Sequence, residues 1–134
     1  GIINKVCMYT YEGNDIYLFG GGKYLRDYIY IDDVVDALIK IALSKNLKSK
    51  VYNVCSGIGT TLFDVFNLII LKAKKIVKSK SVIINKKWPK NVELIEKRNF
   101  IGDNTNIKKE LKWSPKIDLE KGIEKTIHFF KKKN

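Results

Sequence analysis

The stretch from Gly20 to Val35, GGGKYLRDYIYIDDVV, constrains the fold of this chain more than any other. Three consecutive glycines open it, and glycine takes the positive φ angles of a tight turn at little steric cost. The aromatic and β-branched residues 28–31 predict a short buried strand. Asp32 and Asp33 then predict a helix, with Asp32 as its N-cap and Asp33 favourably placed against the helix dipole. The stretch therefore predicts a turn, a strand and a helix in direct succession.

Arg26 lies between the glycines and the predicted strand, and it is one of two arginines in a chain otherwise rich in lysine. The planar guanidinium binds two oxygens at once, so an arginine held at the end of a strand suits a ligand phosphate. The structural alternative is a surface ion pair with Asp27 or Asp32.

Helical and extended patterns alternate along the chain, which predicts α/β architecture. The predicted helices cover residues 2–11, 33–44 and 104–111, with two more capped by Thr61 and Asp118, and the predicted strands cover residues 16–19, 28–31, 51–54 and 81–85. The 33–44 helix carries a wide apolar stripe, which predicts packing against a sheet. In the helix after Thr61, the inward candidates include Phe63 and Phe66.

Composition narrows the classes of partner. The 134 residues amount to one domain or less, and the net charge is +12. A basic chain suggests a nucleic-acid-binding module, but the lysines are scattered along the sequence, which favours ordinary solvated faces. Two widely spaced cysteines match no metal-ligand spacing and indicate free thiols in the reducing cytoplasm. No apolar run is long enough to span a bilayer. We therefore expect a cytoplasmic protein that binds neither nucleic acid nor membrane, and we expect no bound metal.

Four segments, in order, carry a resemblance to a known family. The Gly20–Val35 stretch contains its RD-[YFW] segment, and VYNVCSG at residues 51–57 is similar to its YN-x-G-x-G strand and turn. DNTNIKKELKWSP at residues 103–115 is similar to D-x-s-K-x-x-x-x-L-G-W-x-P, and LEKGIEKT at residues 119–126 to L-x-x-G-[IL]-x-x-T. Over nearly its whole length the chain resembles the C-terminal part of extended short-chain dehydrogenases/reductases, the NAD-dependent nucleotide-sugar epimerase/dehydratase family.

The resemblance implies the C-terminal portion of a Rossmann-type domain plus the smaller substrate-binding subdomain. The family's G-x-x-G-x-x-G cofactor turn and Y-x-x-x-K catalytic pair do not occur in this sequence. We therefore expect residues 1–134 to be the substrate-binding segment of an enzyme whose N-terminal half is missing here and binds NAD. The fragment alone is expected to be inactive, with no catalytic or cofactor-binding residues of its own. The parent enzyme is expected to bind a nucleotide sugar and to form a homodimer, while a non-catalytic remnant of the family is the alternative.

By the same resemblance, the candidate substrate-binding residues are Arg26, Tyr17, Leu18, Phe19, Asn53, Lys87 and Arg98. The arginine of the RD-[YFW] segment contacts the diphosphate in this family, and the short strand before it lines the base, partly through backbone groups. The asparagine of the YN segment lies near the phosphates. Plain core packing for the strand, and a local backbone contact for the asparagine, are the alternatives.

One departure from the family pattern affects the substrate site. The family's second phosphate arginine, in an R-P-G-D segment, has no counterpart at residues 87–91, so Lys87 or Arg98 is the candidate substitute.

Gly57-Ile58-Gly59 resembles a dinucleotide-binding turn, but Leu62 occupies its third position and Asn85 ends the next predicted strand where an acidic residue is needed. The glycines therefore predict a tight strand-to-helix turn. Neither the reaction nor the nucleotide is specified by the sequence.

Overall fold

A layer of three helices, α1 (Ile2–Tyr11), α3 (Leu62–Val77) and α5 (Leu119–Lys133), carries most of the core in the computed structural model, which describes residues 1–133. The other elements are β1 (Ile16–Phe19), β2 (Leu25–Asp27), α2 (Ile31–Leu43), β3 (Gly59–Thr61), β4 (Ile83–Lys86) and α4 (Thr105–Leu111), with 3₁₀ turns at Gly20–Gly22 and Leu94–Lys97. Helices and strands alternate, which confirms the predicted α/β class. None of the described helices combines the length and apolar character needed to cross a lipid bilayer.

The four strands among the described residues form two small ladders. β1 pairs with β4 in parallel, with Ile16 opposite Ile83 and Phe19 opposite Lys86. β2 pairs with β3 in antiparallel register, from Leu25 opposite Thr61 to Asp27 opposite Gly59. Because β1 and β4 run in the same direction, the segments that follow Phe19 and Lys86 emerge at one edge. That edge positions the candidate site.

The main core lies between α1, α3, α5 and the inward face of β1. Its buried residues are Val6, Cys7, Ile16, Leu18, Val65, Phe66, Ile69, Ala73, Ile123 and Ile127. The apolar stripe predicted for the last helix is confirmed, since Ile123 and Ile127 are fully buried and Leu119 and Phe130 pack at the margin. An amphipathic helix buries the stripe that repeats at helical spacing, so this element is readable from the sequence alone.

Two predicted helix caps are present. The Thr61 hydroxyl accepts a hydrogen bond of 3.1 Å from the Asp64 amide at the start of α3. The Asp118 carboxylate accepts one of 2.7 Å from the Lys121 amide at the start of α5. Each cap satisfies an amide that the first turn of a helix leaves without an intrahelical partner.

A second, smaller core joins α2 to α4 and the segment after it. Trp113 is 1% exposed and packs with Ala37 and Ile107. Buried Asp33, in the first turn of α2, accepts hydrogen bonds of 3.0 Å each from the amides of Lys116 and Ile117. Residues 103–115 and the two residues that follow them therefore hold α2 in place.

The predicted strand at residues 28–31 and the predicted N-cap at Asp32 are both wrong. The strand is β2, three residues earlier, because β3 offers pairing partners as far as Asp27 and no further. The amides of Asp33 and Val34 donate to the Tyr30 carbonyl, so Tyr30 is the N-cap and α2 begins at Ile31. Pairing with β3 decided where β2 lies, and the docking of residues 116–117 onto Asp33 decided where α2 begins.

Three further expectations differ from the structure. Residues 51–54 belong to no ladder in the described part of the chain, although the sequence predicted a strand there. The stripe of α2 does not pack against a sheet, and its apolar face is exposed. We call this surface the α2 face, comprising Ile31, Val35, Leu38 and Ile39, each 45% to 61% exposed. Phe63 is also exposed, at 46%, whereas Phe66 is buried as predicted.

Candidate functional site

A cavity of about 340 Å³ opens at the edge where β1, β2 and β4 end. Its charged lining residues are Arg26, Asp27 and Glu96. Its aromatic lining residues are Phe19, Tyr24, Tyr28 and Trp88. We call it the Arg26 pocket. A larger cavity of about 690 Å³, mostly apolar, lies beside it and shares Ile2, Asp27 and Tyr28 with it.

One wall of the Arg26 pocket is aromatic. The rings of Phe19 and Trp88 stack with centroids 6.1 Å apart and planes inclined by 25°. Gly20 makes this possible, because a Cβ there would come within 1.7 Å of the Trp88 indole nitrogen, and its φ of +59° also favours glycine. Stacked rings at a pocket edge offer a platform for a planar ligand group.

The Arg26 guanidinium ties β2 to the segment around the second 3₁₀ turn. Nη1 donates to the carbonyls of Leu25, at 2.9 Å, and Arg98. Nη2 donates to the Glu96 carbonyl at 3.0 Å and lies 3.9 Å from the Glu96 carboxylate. The ion pair of Arg26 is therefore with Glu96, and neither Asp27 nor Asp32 takes that role.

The Asp27 carboxylate joins β2 to residues 56–57 and to Gly102. Its carboxylate accepts hydrogen bonds from the Ser56 amide and hydroxyl, at 2.8 and 2.6 Å, and from the Gly57 and Gly102 amides, at 2.8 and 3.1 Å. Gly102 is required by this close approach, since a Cβ there would lie 2.5 Å from the Cys55 sulfur. The Asp27 carboxylate is therefore occupied by hydrogen bonds from within the fold.

The same contacts test whether the Gly57-Ile58-Gly59 turn fits a dinucleotide. A pyrophosphate needs free backbone amides at such a turn. Here the Ser56 and Gly57 amides already donate to Asp27. Gly59 belongs to β3, so the turn does not lead directly into a helix. The turn therefore does not fit NAD, in agreement with its interpretation as a structural turn.

Of the predicted substrate residues, Arg26 and Phe19 line the Arg26 pocket. Tyr17 shares the outer face of β1 and is 53% exposed, with the Lys86 ammonium 5.2 Å from its ring centroid. Leu18 points the other way into the core and is fully buried. The side chains of Tyr17 and Leu18 are not part of the pocket lining.

The other three candidates lie outside the lining of this pocket. Exposed Asn53 donates to the Asp103 carbonyl at 3.1 Å, a backbone contact to a residue 50 positions away and not the local one considered from the sequence. The Arg98 guanidinium lies over the Phe100 ring, 5.6 Å from its centroid, while its carbonyl binds Arg26. Lys87 is exposed next to Trp88. Their roles toward a ligand stay predictions.

Eight of the described lining residues were not predicted as site residues: Ile2, Gly22, Tyr24, Asp27, Tyr28, Leu62, Trp88 and Glu96. Trp88 follows β4, and a parallel pairing of β4 with β1 would have placed it beside Phe19. Nothing local in the sequence signals that pairing. Glu96 lies at the pocket because the Arg26 guanidinium binds the backbone carbonyls of Glu96 and Arg98. No sequence pattern predicts these hydrogen bonds.

A separate polar cluster fastens residues 48–52 to α4. The Glu110 carboxylate accepts hydrogen bonds from the Ser49 hydroxyl, from the Tyr52 hydroxyl at 2.6 Å and from the Lys48 amide at 3.0 Å. These donors, the Ser49 hydroxyl foremost, lower the pKa of Glu110 from 4.5 to about 2. The ionised carboxylate is therefore the form that the fold stabilises.

We expect Glu110 to contribute stability that depends on pH. Since its folded pKa lies below its unfolded value, the contribution is complete above pH 4.5 and is lost as the pH falls toward about 2. Glu110→Gln removes the ionised acceptor, so it should destabilise at neutral pH and make little difference near pH 2. Urea unfolding across this range measures it, with the exposed Glu93→Gln as control. A constant difference between wild type and Glu110→Gln at every pH would contradict the assignment.

Comparison with known proteins identifies the class. The sequence profile of the family described as GDP-mannose 4,6 dehydratase matches residues 1–126. The chain belongs to the NAD-dependent epimerase/dehydratase family of extended short-chain dehydrogenases/reductases. This confirms the resemblance carried by the four sequence segments. Relatives solved in complex with NAD+ confirm NAD as the family's cofactor.

Individual relatives agree with this class. The UDP-N-acetyl-alpha-D-glucosaminuronate decarboxylase of Bacillus cytotoxicus is 26% identical over 131 residues, which are 98% of this chain and 40% of that enzyme. The crystal structure of UDP-glucose 4-epimerase from Thermotoga maritima, with UDP-glucose, matches with a TM-score of 0.81 at 33% identity, over 99% of this chain and 40% of that one.

The enzyme WbmF of Bordetella bronchiseptica, in complex with NAD+ and UDP, matches with a TM-score of 0.73 at 26% identity, over 98% of this chain and 36% of that one. The chain therefore spans about two fifths of the length of the relatives that it matches. The predicted fold class, part of a Rossmann-type enzyme, is confirmed.

Proposed function

We propose that residues 1–134 supply the nucleotide-sugar-binding wall of an NAD-dependent epimerase or dehydratase. The observation that carries this proposal is the Arg26 pocket, where one guanidinium lines the same cavity as the stacked rings of Phe19 and Trp88. A nucleoside diphosphate presents a charged end and a flat end. Arg26 suits the diphosphate, and the aromatic wall suits the base.

Two relatives support this ligand class by what their structures contain. The Thermotoga maritima epimerase was solved with UDP-glucose, and the Bordetella bronchiseptica enzyme with UDP. Both match nearly all of this chain, which supports a nucleotide as the ligand class that we propose for the Arg26 pocket. The decarboxylase and the epimerase carry out different reactions by name. We therefore leave the reaction at the level of the family.

The catalytic Tyr and Lys and the NAD site belong, in this proposal, to further chain of the complete enzyme. The Y-x-x-x-K pair does not occur in residues 1–134, and the Gly57-Ile58-Gly59 turn does not fit a dinucleotide. The exposed α2 face and the unpaired 51–54 segment support a missing neighbour, because such surfaces are normally covered. NAD supplies hydride transfer where it binds, and residues 1–134 bind and orient the sugar nucleotide against it.

No observation favours the nucleic-acid-binding alternative. A single-strand binding surface interleaves aromatic and basic side chains along one face. The four described pairs of lysine and tyrosine lie on different parts of the fold, with Tyr9 in α1, Tyr17 in β1, Tyr24 just before β2 and Tyr30 at the start of α2. The cytoplasmic location and the homodimer that the resemblance implies stay predictions.

The proposal is tested by ligand titration of the complete polypeptide that carries these residues and, separately, of residues 1–134. We expect the complete polypeptide to bind at least one of UDP, dTDP and GDP, and the bound base to alter Trp88 fluorescence. The separate segment should bind no NAD and show no activity. Micromolar NAD binding by residues 1–134, or no binding of any nucleoside diphosphate by the complete polypeptide, would contradict the proposal.

A further inference from the structure

We propose that Glu96 is a carboxylate latch on the Arg26 pocket: it neutralises Arg26 while the pocket is empty, and a phosphorylated ligand must displace it. This inference rests on the proposed function, because it assigns a regulatory contact to the same nucleotide site. It starts from the donor arrangement of Arg26 and from the charge of the pocket lining.

The Arg26 guanidinium donates three hydrogen bonds to backbone carbonyls. A guanidinium carries five N–H groups, two on each Nη and one on Nε. Both N–H groups of Nη1 are engaged, by the carbonyls of Leu25 and Arg98. One N–H of Nη2 binds the Glu96 carbonyl, and the Glu96 carboxylate lies 3.9 Å from the same nitrogen.

A phosphate needs two neighbouring nitrogens of the guanidinium. A phosphate that binds arginine with two parallel bonds uses N–H groups on neighbouring nitrogens. Nη2 belongs to both such pairs, either with Nη1 or with Nε. Since Nη1 is engaged twice, an incoming phosphate has to take Nη2, the nitrogen that faces the Glu96 carboxylate.

The described lining of the pocket carries more negative than positive charge. Among the described residues, the charged side chains that line this pocket are one cation, Arg26, and two carboxylates, Asp27 and Glu96. Asp27 is held by four donors from the scaffold. The Glu96 side chain is 58% exposed and makes its only described side-chain contact with Arg26. Repulsion from a diphosphate would therefore move Glu96 into solvent and leave Asp27 in place.

The latch has a consequence that separates it from a direct ligand contact. If Glu96 competes with phosphate for Arg26, removing its charge should strengthen binding of nucleoside diphosphates and leave nucleosides unaffected. Exposed ion pairs are weak, so the expected gain for Glu96→Gln is about two- to fivefold in affinity. Glu93→Gln removes the same charge from an exposed residue that does not line the pocket, so it is the matched control.

The experiment is calorimetric titration of wild type, Glu96→Gln and Glu93→Gln as complete polypeptides, using UDP, dTDP and GDP and their nucleosides. We expect tighter diphosphate binding in Glu96→Gln alone, with nucleoside affinity unchanged. Unchanged or weaker diphosphate binding in Glu96→Gln, with wild type binding normally, overturns the latch and leaves the proposed function standing. Equal gains in Glu93→Gln also overturn it, because they indicate a general charge effect. If wild type binds none of the ligands, the proposed function and the latch both fall.

Discussion

Arg26→Ala is expected to weaken nucleoside diphosphate binding by about 1–3 kcal/mol, typical of a charge-assisted hydrogen bond. The variant removes the one cation among the described residues that line the pocket, and it removes the hydrogen bonds from β2 to the 96–98 backbone. Loss of the guanidinium charge acts on phosphate, whereas the aromatic wall of Phe19 and Trp88 is left in place. The loss should therefore be large for UDP, dTDP or GDP and small for the matching nucleoside, as measured by calorimetry on the complete polypeptide.

Arg26→Lys separates charge from geometry. Lysine retains the positive charge but lacks the two-pronged contact, so its loss should be smaller than that of alanine yet clearly measurable. NAD binding should be unaffected in both variants. If Arg26→Ala left all three diphosphate affinities unchanged, Arg26 would be a purely structural residue and the substrate assignment would fail.

Arg98→Ala is the informative comparison, because Arg98 is the other arginine of the chain and a candidate phosphate ligand. Its guanidinium lies over Phe100, and only its backbone carbonyl is bound to Arg26. A loss confined to the Arg26 variants would assign the phosphate contact to Arg26 alone. A comparable loss in Arg98→Ala would make Arg98 the substitute for the family's second arginine.

Trp113→Ala is expected to destabilise the complete polypeptide by about 3–5 kcal/mol, the usual cost of deleting a large buried aromatic side chain. Trp113 is 1% exposed and packs against Ala37 and Ile107, so the cavity would open between α2 and α4. Urea unfolding measures the change. Trp113→Phe, which fills part of the space, should lose less.

Trp88→Ala is the matched control, because Trp88 is the other of the two tryptophans in residues 1–134. It is half-buried at the pocket edge, so its removal should reduce diphosphate affinity more than stability. The two variants thus separate a scaffold tryptophan from a site tryptophan. Similar stability losses in both would contradict the distinction drawn from burial.

The sequence alone was sufficient for the elements that local signals specify. The helices α1 and α5 and the caps at Thr61 and Asp118 follow from periodicity and from side chains that bind amides three residues away. The family membership likewise followed from four short segments in order. These features depend on contacts within a few residues, so no knowledge of the fold was required.

Tertiary structure decided where the strands and the site lie. β2 lies at Leu25–Asp27 because β3 pairs with it there, and residues 51–54 form no ladder in the described part of the chain, because a strand needs a neighbour to satisfy its hydrogen bonds. Trp88 meets Phe19 through the parallel pairing of β4 with β1, and Glu96 meets Arg26 across 70 residues of sequence. The sequence determined that an arginine stands beside a glycine turn, but long-range pairing alone determined which side chains surround it.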